Sequence, residues 1–218
     1  MLKKSFAVQP IPATEDAMAP AKGIASRLWS AARTEFSTRG YHGARVQGIA
    51  RRAGCNVALL YRHWASKRAL YLDVLGSVWR VSNAAVAKLL EKETGAPGVV
   101  SAYLDALLVD PEGAQILVRE YLDGAPFLSQ LVQRDPSAAA PFRRAVAVLV
   151  EGNGSWLRPG LDPIMAALTI GGVAALAASA QEAARPFFDS PPPRESWRNH
   201  LLGLLLHGLL RPGHGNGR

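Results

Sequence analysis

From Gly40 to Lys67 the chain reads GYHGARVQGIARRAGCNVALLYRHWASK, and its chemically capable groups are cations, amides and hydroxyls. Tyr61, Arg62 and His63 fall together at the end of one short helical stretch, and Lys67 opens the next. An aromatic-and-basic run of this kind suits contact with duplex DNA when it rides on a helix-turn-helix, whose second helix enters the major groove.

The elements that must position those side chains follow from spacing. Val46, Ile49 and Ala50 stand at i, i+3 and i+4 and share one face of a first helix. Ala53 ends that helix, and Gly54 sits where the chain must reverse, a place that favours positive φ. Cys55 is small and apolar and can plug the gap between the two helices, while Asn56 suits an N-cap. Leu59 or Leu60 points inward, and Trp64 is a large anchor after the second helix. Small Ala50 permits close approach, and Ser66 caps a third helix starting at Lys67.

Residues 24 to 75 resemble the DNA-binding domain of the tetracycline-repressor (TetR) family of bacterial transcription regulators. The family's Phe-x-x-x-Gly-Tyr is Phe36 to Tyr41, and its Ile-Ala-x-x-Ala-Gly is Ile49 to Gly54. Its Leu-Tyr-x-His-Phe is Leu60, Tyr61, His63 and Trp64 in place of Phe, and its Ser-Lys-x-x-Leu is Ser66, Lys67 and Leu70. Three positions depart from the pattern: Ala44 and Arg45 replace a Thr-Ser or Thr-Thr cap, Cys55 stands for Val or Leu, and Ala58 stands for Gly or Pro.

The resemblance implies the contacts. Arg45, Val46 and Gln47 open the first helix of the motif, whose positive dipole end can face a phosphate, and Arg45 can meet one directly. Asn56, Val57, Ala58 and Leu59 open the recognition helix and should meet base edges, the last three only through apolar contacts such as a thymine methyl. Tyr61, His63 and Lys67 are similar to the family's phosphate contacts, and Arg62 can reach bases or backbone.

Charge points the same way independently. Residues 1 to 73 hold 12 Lys and Arg against 4 Asp and Glu, a net of +8, whereas the remaining 13 of each sign cancel. A basic module joined to a neutral one fits phosphate binding by the first alone.

The 218 residues suit a small domain plus a larger one, and 49% hydrophobic content supports a real core. A single cysteine excludes an intrachain disulfide and fits a reducing cytoplasm. The expected organisation is a flexible tail over 1–20, the helix-turn-helix domain over 21–68, a helical ligand-binding and dimerisation domain over 69–211, and a disordered tail over 212–218. The tail carries no long apolar stretch of a secretory signal. The most apolar run, Ile164 to Ala180, is rich in Ala and Gly and reads as a buried helix, not a membrane span.

The fold expected is all-α. Lys67 to about Glu93 reads as one helix of roughly 40 Å, broken by Gly95, Pro97 and Gly98. Further helices follow over Val99 to Val109, Pro111 to Asp123, Pro126 to Arg134, a stretch ending near Glu151, Pro163 to about Arg185 and Glu195 to Leu210. In the family the last two helices pair with their copies in a homodimer. Gly171, Gly172 and the alanines around them suit close approach, and the leucines from Leu201 to Leu210 leave the final helix apolar around much of its circumference.

The resemblance also implies a small-molecule inducer of apolar or amphipathic character, held among Trp79, Tyr103, Tyr121, Phe127, Phe142, Trp156 and Met165, with core packing the ordinary alternative for each. Binding would shift the dimer to a form whose reading heads no longer match a palindromic operator. The polar candidates there are Asn83, Asp105, Glu120, Asn153 and Gln181. Repression is the family's default sign.

No hydrolase elbow, metalloprotease helix, phosphate loop or paired-cysteine motif occurs, so no enzyme, metal or cofactor is expected. His200, His207 and His214 recur every seven residues without a further ligand, and Cys55 is more simply a small hydrophobe than a redox sensor. The class-distinct alternative is a sequence-nonspecific, architectural DNA-binding protein.

Overall fold

Helix follows helix through this computed structural model, which describes residues 23–91, 95–150, 156–184, 186–187 and 193–210. The expected tails, the Gly152–Gly154 interruption, Asn153 and His214 lie outside the described residues. Among the described residues ten α-helices run in order: α1 Ile24–Gly43, α2 Val46–Arg52, α3 Val57–His63, α4 Lys67–Leu90, α5 Gly95–Val109, α6 Pro111–Leu122, α7 Pro126–Arg134, α8 Ala140–Val150, α9 Pro163–Ala184 and α10 Arg194–Leu209. A 3-10 turn over Pro136–Ala139 leads into α8, and one isolated antiparallel bridge joins Leu157 to Leu210. The protein is all-α, with the helix-turn-helix at its N-terminal end, as the sequence pattern predicts.

The expected helix bounds hold to within a few residues except at the start of α5. α4 ends at Leu90 as a break here requires, but Gly95, Pro97 and Gly98 form the first turn of α5, which starts four residues before the expected Val99. A proline costs nothing there, because the first turn's N–H groups have no partner within the helix. Gly95 adopts φ +66°, and a Cβ on it would stand 2.9 Å from the Trp156 ring, so glycine admits the indole. Gly76 does not interrupt α4.

One apolar cluster runs from Leu28, Phe36 and Leu60 through Leu75 and Leu104 to Leu201 and Leu205, so the reading head and the larger bundle share a core. Apolar positions at helical spacing on α4 build its spine: Leu70, Val74, Leu75 and Val78 are all but fully buried. A second small cluster, Ala96, Leu149, Leu157, Ala166, Ala167 and Leu210, closes the far end. Among the described residues no helix is long and apolar enough to cross a membrane.

Candidate nucleic-acid interface

The reversal between α2 and α3 is built as the spacing requires. Gly54 takes φ +66°, and the Cys55 N–H donates to the Ala50 carbonyl at 3.0 Å. Asn56 Oδ1 accepts from the Leu59 N–H at 3.0 Å and so caps α3. Ile49, Ala50, Ala53 and Leu60 are buried between the helices, and Cys55 is half-buried beside them. Leu60 is therefore the inward residue of the leucine pair, while Leu59 is half-buried.

Burying Leu60 leaves the opposite face of α3 in water. Asn56, Ala58, Tyr61, Arg62 and His63 are exposed, and Val57 is half-buried. Ala58, Tyr61 and Arg62 stand at i, i+3 and i+4, so they form one face. Tyr61 is 48% exposed and thus takes no part in the core. On α2, Arg45 and Gln47 are exposed and Val46 is half-buried. Arg45 occupies the N-cap position without a side-chain capping bond, so its guanidinium is not spent on the helix.

Two residues just after α3 fix the motif on α4. The Lys67 ammonium donates to the carbonyls of Tyr41 at 2.8 Å and Ala44 at 3.1 Å, and lies 4.6 Å from the centre of the Tyr41 ring. Its first use is therefore structural, pinning the end of α1 to the start of α4. Ser66 Oγ accepts from the Ala69 N–H at 3.0 Å, the expected cap. Trp64 is half-buried, and its indole N–H donates to Asp73 at 3.0 Å.

α6 grips α1 at both ends, which no local motif announces. At the N-terminal end Arg33 pairs with Asp110 and, at 3.4 Å, with Glu112. At the other end Arg119 donates to the carbonyls of Ser37 at 2.9 Å and Thr38 at 2.8 Å. The next residue, Glu120, is buried and accepts from Tyr71, Phe127 and Leu128. Asp110-Pro111 marks the start of α6 in the sequence, but partners some 80 positions apart leave no periodic trace.

The aromatics expected to form a ligand pocket do not gather in one place. Tyr103 and Phe142 line a cleft of about 30 Å³ with Val86, Val99, Leu149 and Ile170. Tyr121 hydrogen-bonds to the Tyr103 hydroxyl; burial raises the pKa of both phenols. Trp79 is buried, with its N–H on the Ala138 carbonyl at 3.1 Å. Phe127 belongs instead to an aromatic group under the reading head, 4.5 Å from Tyr41 and 5.0 Å from Tyr71. Trp156 covers Gly95, and Met165 is 62% exposed on α9. Residue type alone places Met165 and Phe127 with the others, and type cannot tell the several faces of a helical bundle apart. Of the polar candidates, Asn83 is buried, and Asp105 holds Arg198 across α5 and α10.

Comparison with known proteins adds the family. Residues 28–74 match the family described as bacterial regulatory proteins, tetR family. The HTH-type transcriptional regulator RutR of Escherichia coli (strain K12) is 30% identical over 142 residues, covering 63% of this chain and 64% of RutR, so the match spans a little under two thirds of that relative. The fold is similar to that of the ketosteroid transcriptional regulator KstR2 of Mycobacterium tuberculosis, with a TM-score of 0.65 at 18% identity over 89% of this chain and 99% of that one. It is also similar to the transcriptional regulator FadR from Bacillus subtilis, solved in complex with stearoyl-CoA, with a TM-score of 0.56 at 19% identity over 84% and 97%. The matched segment takes in α2, α3, the Gly54 turn between them and the Ser66 cap that follows; over that module the chain is similar to the tetR family of bacterial regulatory proteins.

Proposed function

We propose that this protein is a ligand-responsive transcriptional regulator, by default a repressor, that binds a palindromic operator as a homodimer and leaves it when a small apolar or amphipathic molecule binds. The observation that carries the reading is the exposed face of α3, where Ala58, Tyr61 and Arg62 project from a helix whose opposite side is locked by Leu60 and the Asn56 cap. Asn56, Val57, Ala58 and Leu59 address base edges. Arg45, Val46, Gln47, Tyr61, His63 and the remaining N–H of Lys67 address backbone, with Arg62 free for either. Two such heads about 34 Å apart read two half-sites of one palindrome.

The ligand half of the reading rests on the core between α4, α5, α8 and α9. The cleft at Tyr103 and Phe142, at about 30 Å³, is far smaller than a drug-sized molecule requires. Binding there means parting the walls, and a ligand that prefers the parted form shifts the population toward it. Asn83 stands one turn before Val86 on α4, and its buried Oδ1 has no hydrogen-bond partner among the described residues. A buried acceptor of that kind suits a ligand carrying one donor on an apolar body. The relatives named for a ketosteroid and solved with stearoyl-CoA support the apolar class.

The test is selection of the purified protein against random duplexes, with the winners followed across a salt series. A palindrome held about a thousandfold more tightly than random duplex supports the reading. Equal binding to all duplexes overturns it in favour of a sequence-nonspecific, architectural protein, the alternative that the +8 charge of residues 1 to 73 would equally serve.

A further inference from the structure

A cleft of about 390 Å³ opens between α1 and α2, and its lining includes no residue of α3. Its walls are Arg39, Arg45, Gln47, Arg51 and Arg52, and its floor is Glu35 with Gly48. Glu35 is buried, and Arg39 approaches its carboxylate at 3.4 Å. A Cβ on Gly48 would stand 3.1 Å from the Glu35 carboxylate, so glycine lets α2 settle onto α1 and shapes the floor.

The charge balance here is one-sided. Four guanidinium groups face a single carboxylate, a net of +3. Arg45, Arg51 and Arg52 are exposed and make no ion pair among the described residues. Ile49, Ala50 and Ala53 turn the other side of α2 to the core, so the arginines cannot swing inward. Like charges held this close repel one another and concentrate a polyanion.

The neighbouring surface says which polyanion. Arg45 and Gln47 form one wall and are also the α2 residues assigned to DNA above, so the cleft continues the reading head. From Arg45 to Arg52 is seven residues, about 10 Å along a helix, a reach that spans more than one phosphate of a single strand. We propose that this cleft is a phosphate clamp. When α3 lies in the major groove, Arg39, Arg51 and Arg52 hold the backbone flanking the half-site and lengthen the footprint beyond the base pairs that α3 reads. The clamp rests on the regulator reading for its placement beside an operator. It supplies affinity and salt dependence and no sequence information.

The experiment compares the full chain with R51Q/R52Q on two forms of the selected duplex, one ending at the palindrome and one flanked by about six base pairs on each side. The glutamines are exposed replacements, and unchanged circular dichroism confirms the fold. On the flanked duplex the slope of log K against log salt should fall by about two per subunit in the double variant, with roughly tenfold or greater loss of affinity at physiological salt. The order of preferred sequences should stay the same, and on the short duplex the two proteins should converge. Equal slopes on the flanked duplex overturn the clamp, as does a changed order of preferred sequences. Saturable binding of pyrophosphate, lost in R51Q/R52Q while the DNA slope is unchanged, assigns the cleft to a small anion and also overturns it. If the wild type selects no palindrome, the regulator reading fails; the slope comparison on random duplex then still decides the clamp.

Discussion

The Tyr71 hydroxyl donates to Glu120 at 3.0 Å, and through that bond α4 is held to α6 directly beneath the reading head. The other Glu120 oxygen accepts the N–H groups of Phe127 at 2.6 Å and Leu128 at 2.8 Å, the opening of α7. The Tyr71 ring meets Phe36 edge-on at 4.9 Å and Tyr41 at 5.1 Å. One buried carboxylate thus joins three helices and, through the Tyr71 ring, touches a fourth. Tyr71→Phe keeps the ring and removes one of the three donors, so it should cost about 1–3 kcal/mol. Glu120→Gln should also destabilise, because the amide oxygen can still accept from Phe127 and Leu128 but the charge that strengthens those bonds is gone, and the Tyr71 hydroxyl must turn from donor to acceptor. Urea unfolding followed by circular dichroism measures both, and the double variant should lose less than the sum of the two. A Tyr71→Phe protein as stable as the wild type would show that the bond contributes nothing.

Alkaline pH should unfold this protein earlier than its charge alone would suggest. Burial pushes the Tyr71 phenol well above its usual range, with the neighbouring Glu120 charge adding to the shift, and burial does the same to Tyr103. Both are neutral when folded near pH 10, whereas the unfolded chain releases their protons there. A pKa raised on folding contributes stability below the unfolded value and loses it as pH climbs past that value, so stability should fall above about pH 10 by up to about 1.4 kcal/mol per pH unit for each phenol. Thermal melts between pH 8 and 11 would record it. Tyr103→Phe should flatten the alkaline limb; an unchanged limb would mean that its phenol ionises freely in the fold.

How much of this was legible beforehand divides along sequence distance. The turn at Gly54 and the caps at Asn56 and Ser66 depend on partners within a few residues, and spacing reports them, whereas it leaves open which of Leu59 and Leu60 turns inward. The break before Gly95 is present, but the next helix starts at Gly95 and not at Val99, because glycine and proline also serve a first turn, where no backbone bond is lost. The clamp of Arg33 and Arg119 on α1 and α6 was invisible, since neither arginine differs in local pattern from a solvated one. The separate places of the aromatics were invisible for the same reason: type marks them as buried but not which neighbours bury them.

Gly40 is the residue in α1 that another side chain cannot replace cheaply. It has φ +66° and ψ 178°, a combination almost confined to glycine, and the chain bends there so that Arg119 can reach the carbonyls of Ser37 and Thr38. Gly40→Ala should cost about 1–3 kcal/mol from backbone strain alone. For a chain of this size that is a melting-point drop of roughly 2–12 °C. Calorimetry decides it, with Gly43→Ala as the control, since Gly43 has no positive φ. Equal melting points for the two variants would show that α1 straightens without penalty.

The last two helices carry apolar side chains into water, and the proposed dimer is what would cover them. Ile164, Leu168 and Leu176 on α9 are 58, 42 and 62% exposed, and Leu204 on α10 is 58% exposed. Their inner neighbours Ala167, Ile170, Ala174, Leu201 and Leu205 are buried, so these helices need the outer leucines for no intrachain packing. Apolar surface left on such a face is a mark of association. Leu168→Glu with Leu204→Glu should therefore leave helicity and melting nearly unchanged while placing desolvated charge in any symmetric interface, where each substitution occurs twice. Light scattering on a sizing column should give a monomer mass. Binding to a selected palindrome should fall by about a hundredfold or more, because each half-site is then held by one head, while random-duplex binding per subunit changes little. A double variant that still elutes as a dimer would place the interface on another face and detach α9 and α10 from operator recognition.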